Sequence, residues 1–397
     1  MNLDSSQVRE TLRNVLAYSA RQDYSGYSKH DGLNSRLLSS LLGWGKWSRM
    51  LAIQAVMRSP WNLRPLLGIN HARNPKGLGL FSSAHLELYQ SEKRSDDLGE
   101  AMRLLDWLLE HPSSGFRGLS WGYPYPWQDI GFYAAKDLPN RVVTCWIGFA
   151  MLKAAEITGE ARYGDALPQI AEFLTTEPNV LYDSRDMKCY SYLPDPSVTW
   201  AVMDVPALVG AYLAEAGRFL EREEFMFEAR RLINWVADKQ TDYGAWYYTH
   251  PPDDSHITHD NYHSAIILDC IERYGVASGD ESFVEAYRLG LDYYRRNLFN
   301  EDGSPRWMND RDYPHDIHGA ASGILCFVRA GRYDPCYYPV ADKILSWALR
   351  RMYDSRGFFY YQETHFFRKR FTLLRWCNAW MAWAMAAWVR ARAEKAC

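Results

Sequence analysis

Thr258-His259-Asp260-Asn261-Tyr262-His263-Ser264-Ala265 runs straight into the apolar Ile266-Ile267-Leu268, and Pro314-His315-Asp316-Ile317-His318-Gly319-Ala320 runs toward Ile324-Leu325. Each stretch sets a His-Asp pair, a second histidine and a small residue at the mouth of a helical pattern. Asp260 and Asp316 stand 56 residues apart. That is about the length of one helix-loop-helix hairpin, so the chain reads as a repeated hairpin with its chemistry at repeated helix entrances.

The alternation extends in both directions. Helices with one polar face are expected near 97–110, 162–175, 222–239, 281–298 and 338–353. Each is followed by an aromatic, glycine-bearing loop and then by a more apolar helix, starting near Arg141, Asp204, Tyr262, His318 and Arg375. Toward the N-terminus, Val8, Leu12, Val15 and Leu16 predict a helix over about Ser6 to Ala20. Further helices are expected from Asn34, over about Trp47 to Met57, and from about Ser82 after a polar loop at 62–77. With entrances near Asn34 and Ala84 included, the starts recur every 50 to 63 residues. Helices apolar nearly all round are buried, so the apolar set forms an inner ring and the others an outer one. The expected fold is all-α: an α/α toroid of about seven hairpins in a single domain, 1–397, with six hairpins plus an accessory pair as the fallback. Trp376, Trp380 and Trp383, at i, i+4 and i+7, read as core.

Composition narrows the partners. A net charge of −3 with no dense basic tract argues against nucleic acid. No apolar run reaches the roughly 18 residues needed to span a bilayer, and the residues after Met1 lack a basic-then-apolar leader. The expected location is therefore cytoplasmic. Seven scattered cysteines, Cys397 among them, form no C-x-x-C pair, so neither a disulfide framework nor a zinc knuckle is expected. Aromatic residues make up 15% of the chain and many sit in loops beside Gly and Pro. Flat aromatic faces in loops cover either a core or a sugar ring.

Glycoside hydrolysis needs two carboxylates, one protonated and one ionised. Asp260 and Asp316, each flanked by histidines, form the preferred pair, although an Asp before a helix is equally a cap. Asp129, among aromatics and with no helix to cap, is the third carboxylate. His263 and His318 are candidate bases, and Asp260 and His263 share a helix face. Arg64, His71, Arg73 and Lys76 crowd one helix entrance, which suits an anion and equally suits a solvated loop. Epimerisation or β-elimination of a uronate would instead use Arg141, Arg64 or Arg73 with Tyr247, Tyr262 or His263. Zinc spacing exists at His315-Asp316-Ile317-His318, but cysteine ligands of the lanthionine-cyclase kind are missing. Neither metal nor cofactor is expected.

The helix pairs, the aromatic loops and the stretches Tyr262-His263-Ser264 and Asp316-Ile317-His318-Gly319-Ala320 resemble the hairpin-toroid carbohydrate enzymes, most closely bacterial proteins of polysaccharide biosynthesis. The segment from Tyr27 to Leu33 is similar to an N-terminal motif of that group. The resemblance implies inner-helix entrances converging on one end of the ring. There Asp129, Asp204, Asp260, Asp316, His263, His318 and Arg141 would share a rim, with Arg141, Trp127, Trp246, Tyr247, Tyr262, Trp307, Arg73 and His71 binding substrate. It implies an enzyme on a bacterial polysaccharide or oligosaccharide, anionic if the 62–77 loop binds it. Hydrolysis is the first reading. A uronyl C5-epimerase or lyase is the alternative, and a non-catalytic glycan-binding protein of polysaccharide assembly is the third.

Overall fold

A computed structural model describes residues 3–177 and 179–396, so the readings at Met1 and Cys397 lie outside the described residues. Six helices line the centre: α4 (Pro75–Glu92), α6 (Arg141–Thr158), α8 (Asp204–Leu220), α10 (Asn261–Ser278), α12 (Ile317–Ala330) and α14 (Trp380–Ala396). Each packs on the next, and α14 packs back on α4, which closes the circle. Outside them lie α5 (Ser95–Glu110), α7 (Ala161–Thr176), α9 (Glu223–Asp238), α11 (Val284–Asn297), α13 (Tyr338–Arg351) and α1 (Ser5–Arg21). The fold is an α/α toroid.

The seven-pair count is corrected to the six-hairpin fallback. Helices α2 (Arg36–Leu42) and α3 (Lys46–Arg58) stand outside the ring, against the turn at Asp31–Asn34 and the strand Trp127–Gln128. Helix α2 buries no residue, and α3 buries only Ser48, Ala52, Ile53 and Val56. Both segments are helical, but too little apolar surface turns inward to insert them between neighbours.

Inner and outer helices differ as their sequences require. In α8 every residue from Asp204 to Ala214 is buried, whereas α9 buries a single stripe, Ala229, Leu232, Ile233, Trp235 and Val236. Truncating a stripe residue such as Leu232 to Ala would cost about 2–5 kcal/mol. Helix α4 begins at Pro75, not near Ser82, because Asn74 accepts from the Gly77 N–H as N-cap and proline fits the first helical position. Helix α14 is preceded by a π-helical turn, Arg375–Ala379.

Short antiparallel hairpins cover the N-terminal end of the ring. Trp127–Gln128 pairs with Tyr133–Ala134, and Gln362–Glu363 pairs with both His315–Asp316 and Arg368–Lys369. Ser25–Gly26 pairs with Ala72–Arg73, closing off the excursion that carries α2 and α3. Gly26 makes this closure possible, since a Cβ there would lie 2.5 Å from Leu374 Cβ.

Candidate active site

All six inner helices present their N-terminal turns to one cleft of about 630 Å³. Lys76, Val142, Asp204, His263, His318 and Arg375 line it, one from each helix or from the turn leading into it. The volume lies in the range of ordinary ligand pockets. Six helix N-termini aimed at one space bring the positive ends of six dipoles together, which favours an anionic occupant.

Two imidazoles face this space from neighbouring helices. Gly319 lets α12 approach α10 closely, since a Cβ there would lie 2.9 Å from Asn261 Oδ1. His263 Nδ1 is 2.8 Å from Asp260 Oδ2, and its Nε2 is 4.0 Å from Asp204 Oδ2. Burial opposes charging of this ring, but Asp260 and then Asp204 outweigh it and raise the pKa above an ordinary histidine. His318 has no hydrogen-bond partner at either ring nitrogen. It stacks on Tyr262 at 4.7 Å and meets the edge of Trp376 at 4.4 Å. Burial, followed by the cations Lys76, Arg375 and Lys29, drives its pKa well below the usual value. Tyr262 separates the two rings, its centroid 4.3 Å from that of His263.

Cations dominate the rest of the lining. Lys29 lies over Trp376 at 3.8 Å, with Tyr262 at 5.6 Å and Trp307 at 5.4 Å. Burial pushes it down to about 8 despite the fields of Asp316 and Asp260. Lys369 is likewise lowered by burial to about 8, and burial reinforced by Arg375 takes Lys76 well below the lysine range. An anion beside these lysines would favour their charged form, so the cluster is a cationic site short of counter-charge. Arg375 keeps a buried Nε without a partner. On the acidic side, Asp204 and Asp129 line the cleft, and burial raises both carboxyls. Asp204 Oδ1 has no hydrogen-bond partner.

Lys29 and His30 reach the cleft because the loop that carries them is tied from beneath. Asp31 accepts from Arg64 Nε at 2.7 Å and from the Ser28 N–H at 2.8 Å, and Arg64 also donates to the Ser28 carbonyl. The ion pair is almost fully buried, so removing one partner would cost about 3–5 kcal/mol. This is the Tyr27–Leu33 stretch singled out by resemblance.

Of the expected residues, the structure brings Asp129, His263, His318, Trp127, Tyr262 and Trp307 to the cleft. Asp260 stands behind His263 and makes no side-chain cap bond. Asp316 does cap its helix, accepting from the His318 N–H at 2.9 Å, and also takes Gln362 Nε2 and Trp376 Nε1 at 2.8 Å each. Neither carboxylate is among the cleft-lining groups, so the two do not flank a common space as the hydrolytic pair was expected to.

The remaining expected binding residues point elsewhere. Arg141 is buried and donates to the Leu174 and Ser191 carbonyls. Arg73 pairs with Asp23, and His71 packs on Tyr27. Trp246 donates to the Val236 carbonyl inside the core, and Tyr247 packs on His259. In the 62–77 loop Arg64 is taken up by Asp31, and only Lys76 of the four polar residues named there lines the cleft. Sequence reasoning missed Lys76 as a separate group, Lys369, Tyr248 and Gln362, and it assigned Trp376 to the core. Among the described residues, no cluster of His, Cys, Asp or Glu is arranged to hold a metal ion.

No family model matches this sequence, and no curated protein is similar to it at the level of sequence. Solved structures are similar in fold. Cellobiose 2-epimerase from Bacillus thermoamylovorans B4167 superposes with a TM-score of 0.64 at 13% identity, over 83% of this chain and 90% of that one. An unsaturated glucuronyl hydrolase specific for heparin gives 0.58 at 14% identity, over 83% and 89%. A GH76 α-mannanase from Bacteroides thetaiotaomicron gives 0.61 at 12%, over 82% and 88%. All are α/α toroids of the glycosidase-like superfamily, and at these identities the likeness is one of fold.

Proposed function

We propose that the protein is a carbohydrate-active enzyme that moves a proton at a carbon of an anionic sugar, epimerising a uronyl residue of a bacterial glycan. The observation that carries the reading is the unequal surroundings of two imidazoles that line one cleft: His263 is held by Asp260, which raises its pKa, whereas His318 has no partner at either ring nitrogen and is lowered by burial and nearby cations. Groups whose surroundings push their pKa values apart mark out an acid and a base. Neutral His318 takes the C5 proton, and the bonding pair moves into the uronyl carboxyl group to give an enediolate. Lys29, Lys76 and Arg375 offset the added charge. Protonated His263, held by Asp260, returns a proton to the opposite face, and the C5 configuration inverts. His318 ends one proton richer and His263 one poorer, and exchange with water restores both. Aromatic walls at Trp127, Tyr262 and Trp307 suit the sugar rings.

Similar toroids bear the names of a sugar epimerase and of a glucuronyl hydrolase, which supports a sugar substrate without choosing the reaction. Hydrolysis keeps one observation in its favour: Asp129 and Asp204 both line the cleft with raised pKa values, as a general acid requires. The two readings separate in heavy water. With uronyl-containing oligosaccharides, epimerisation puts solvent deuterium at C5 without cleavage. New reducing ends without deuterium would replace it with hydrolysis, and an unsaturated product would replace it with elimination.

A further inference from the structure

The excursion that sits outside the ring has a solvent face unlike the rest of the molecule. Trp44, Trp61 and Leu66 are 79%, 74% and 85% exposed, and Trp47 is 68% exposed. Among the described residues these three are the only tryptophans exposed to this degree. Leu37 and Leu41 of α2, and Leu51 of α3, are further exposed apolar residues of this excursion. In α3 the buried positions are Ser48, Ala52, Ile53 and Val56, and the exposed ones are Lys46, Trp47, Leu51, Ala55 and Arg58. The helix is thus apolar on both sides, one used by the fold and one unused. Exposed apolar patches of this kind mark interaction sites.

Charge identifies the partner. From Gly32 to Leu86 the chain contains no Asp or Glu. Arg64 is tied to Asp31 and Arg73 to Asp23, but Arg36, Lys46, Arg49 and Arg58 form no ion pair among the described residues. Arg49 stacks on the exposed Tyr133 at 4.4 Å. Tryptophan and leucine interleaved with unpaired cations, on helices too short to span a bilayer, is the composition of an element that lies in the headgroup layer of an anionic membrane. A second copy of the chain fits poorly. A two-fold contact would set these four cations against their own equivalents with no carboxylate between them.

We propose that α2, α3 and the turn through Leu66 form a docking face for an anionic phospholipid surface. The apolar side chains enter the headgroup boundary, and the four cations pair with lipid phosphates. Membrane association of this kind needs no spanning helix, and no helix of the described residues is long and apolar enough to be one. A neighbouring face of α3 supplies Met50, Ile53, Gln54 and Met57 to the cleft, and the exposed Arg58 at the end of the helix borders it as well. Docking therefore brings the cleft mouth beside the bilayer, at the depth where a glycan still attached to a lipid carrier lies. That consequence rests on the sugar reading above, whereas the docking itself does not.

The test is flotation of the full chain with vesicles of phosphatidylcholine, with and without phosphatidylglycerol. The protein is expected to float with the anionic vesicles and to be released by salt. Arg36→Ser combined with Lys46→Ser should lower partitioning at least about tenfold, since each surface cation strengthens binding several-fold. Trp44→Ser, Trp47→Ser and Trp61→Ser together should abolish it. These side chains are exposed, so the melting temperature should stay unchanged, and circular dichroism checks that the variants fold. The proposal is overturned if the wild type ignores anionic vesicles or if the triple variant floats as well as the wild type. It is equally overturned if sedimentation shows a dimer that the triple variant dissolves without any vesicle binding, which would make the face a contact between copies.

Discussion

Asp260 and His263 are three residues apart, whereas Asp316 and His318 are two apart. Three residues along a helix return to the same face, so the Asp260 carboxylate reaches the His263 ring and holds its charge. Two residues do not. Asp316 therefore reaches only the backbone N–H of His318, where it acts as a cap. Its remaining acceptor capacity goes to Gln362 and Trp376. His318 is left with no partner for its ring and with three cations nearby, so it stays neutral. Two entrances that look alike in sequence thus give one imidazole a carboxylate partner and leave the other without one, because one spacing is a residue shorter.

Removing the neutral ring should have the largest effect. His318→Gln is expected to lower the rate of deuterium entry at C5 by about 10²–10⁴-fold while leaving the melting temperature close to that of the wild type. Next comes Asp316→Ala, which strands three buried donors. It should cost about 3 kcal/mol or more in denaturant unfolding, and its loss of activity should track its loss of stability. A stable but inactive Asp316→Ala protein would make Asp316 a reacting group and erase the contrast between the two entrances.

A smaller effect is expected from Asp260→Asn, which removes the charge that raises His263. Reaction needs that ring protonated, so activity falls as pH rises through its pKa. With the carboxylate gone the alkaline limb should move to lower pH, and activity at the upper end of the profile should fall. The stability that His263 draws from Asp260 is fully present below its unfolded pKa of about 6.5 and is lost as pH rises through the higher folded value. The smallest change is Lys29→Met. Burial depresses this lysine to about 8, so an uncharged side chain of similar length should stabilise the fold by about 1 kcal/mol. Affinity for anionic sugars should fall at the same time, measured by calorimetry against a neutral analogue.

Much of the ring was legible because helical periodicity is a direct record of burial. Entrances expected near Arg141, Asp204, Tyr262 and His318 fall within a residue of the observed helix starts. Periodicity alone could not show that α2 and α3 stay outside, since an apolar stripe reads the same whether it meets a core or water. At the site, position at an entrance brought out His263 and His318, but Arg141 shows the limit of that signal. It occupies an equivalent place and turns outward to the Ser191 carbonyl. Lys369 was not legible because a lysine in a polar loop looks like ordinary solvation. Trp376 was read as core from its helical spacing, and it is buried in the core, while also bordering the cleft.

The unequal state of the two rings can be measured without knowing the substrate. In a histidine-selective NMR titration of the intact protein, with His263→Gln and His318→Gln used to assign the signals, His318 should remain neutral well below about pH 6.5 and His263 should remain protonated above it. Both rings titrating together near pH 6.5 would contradict the assignment of acid and base, and the proposed proton transfer with it.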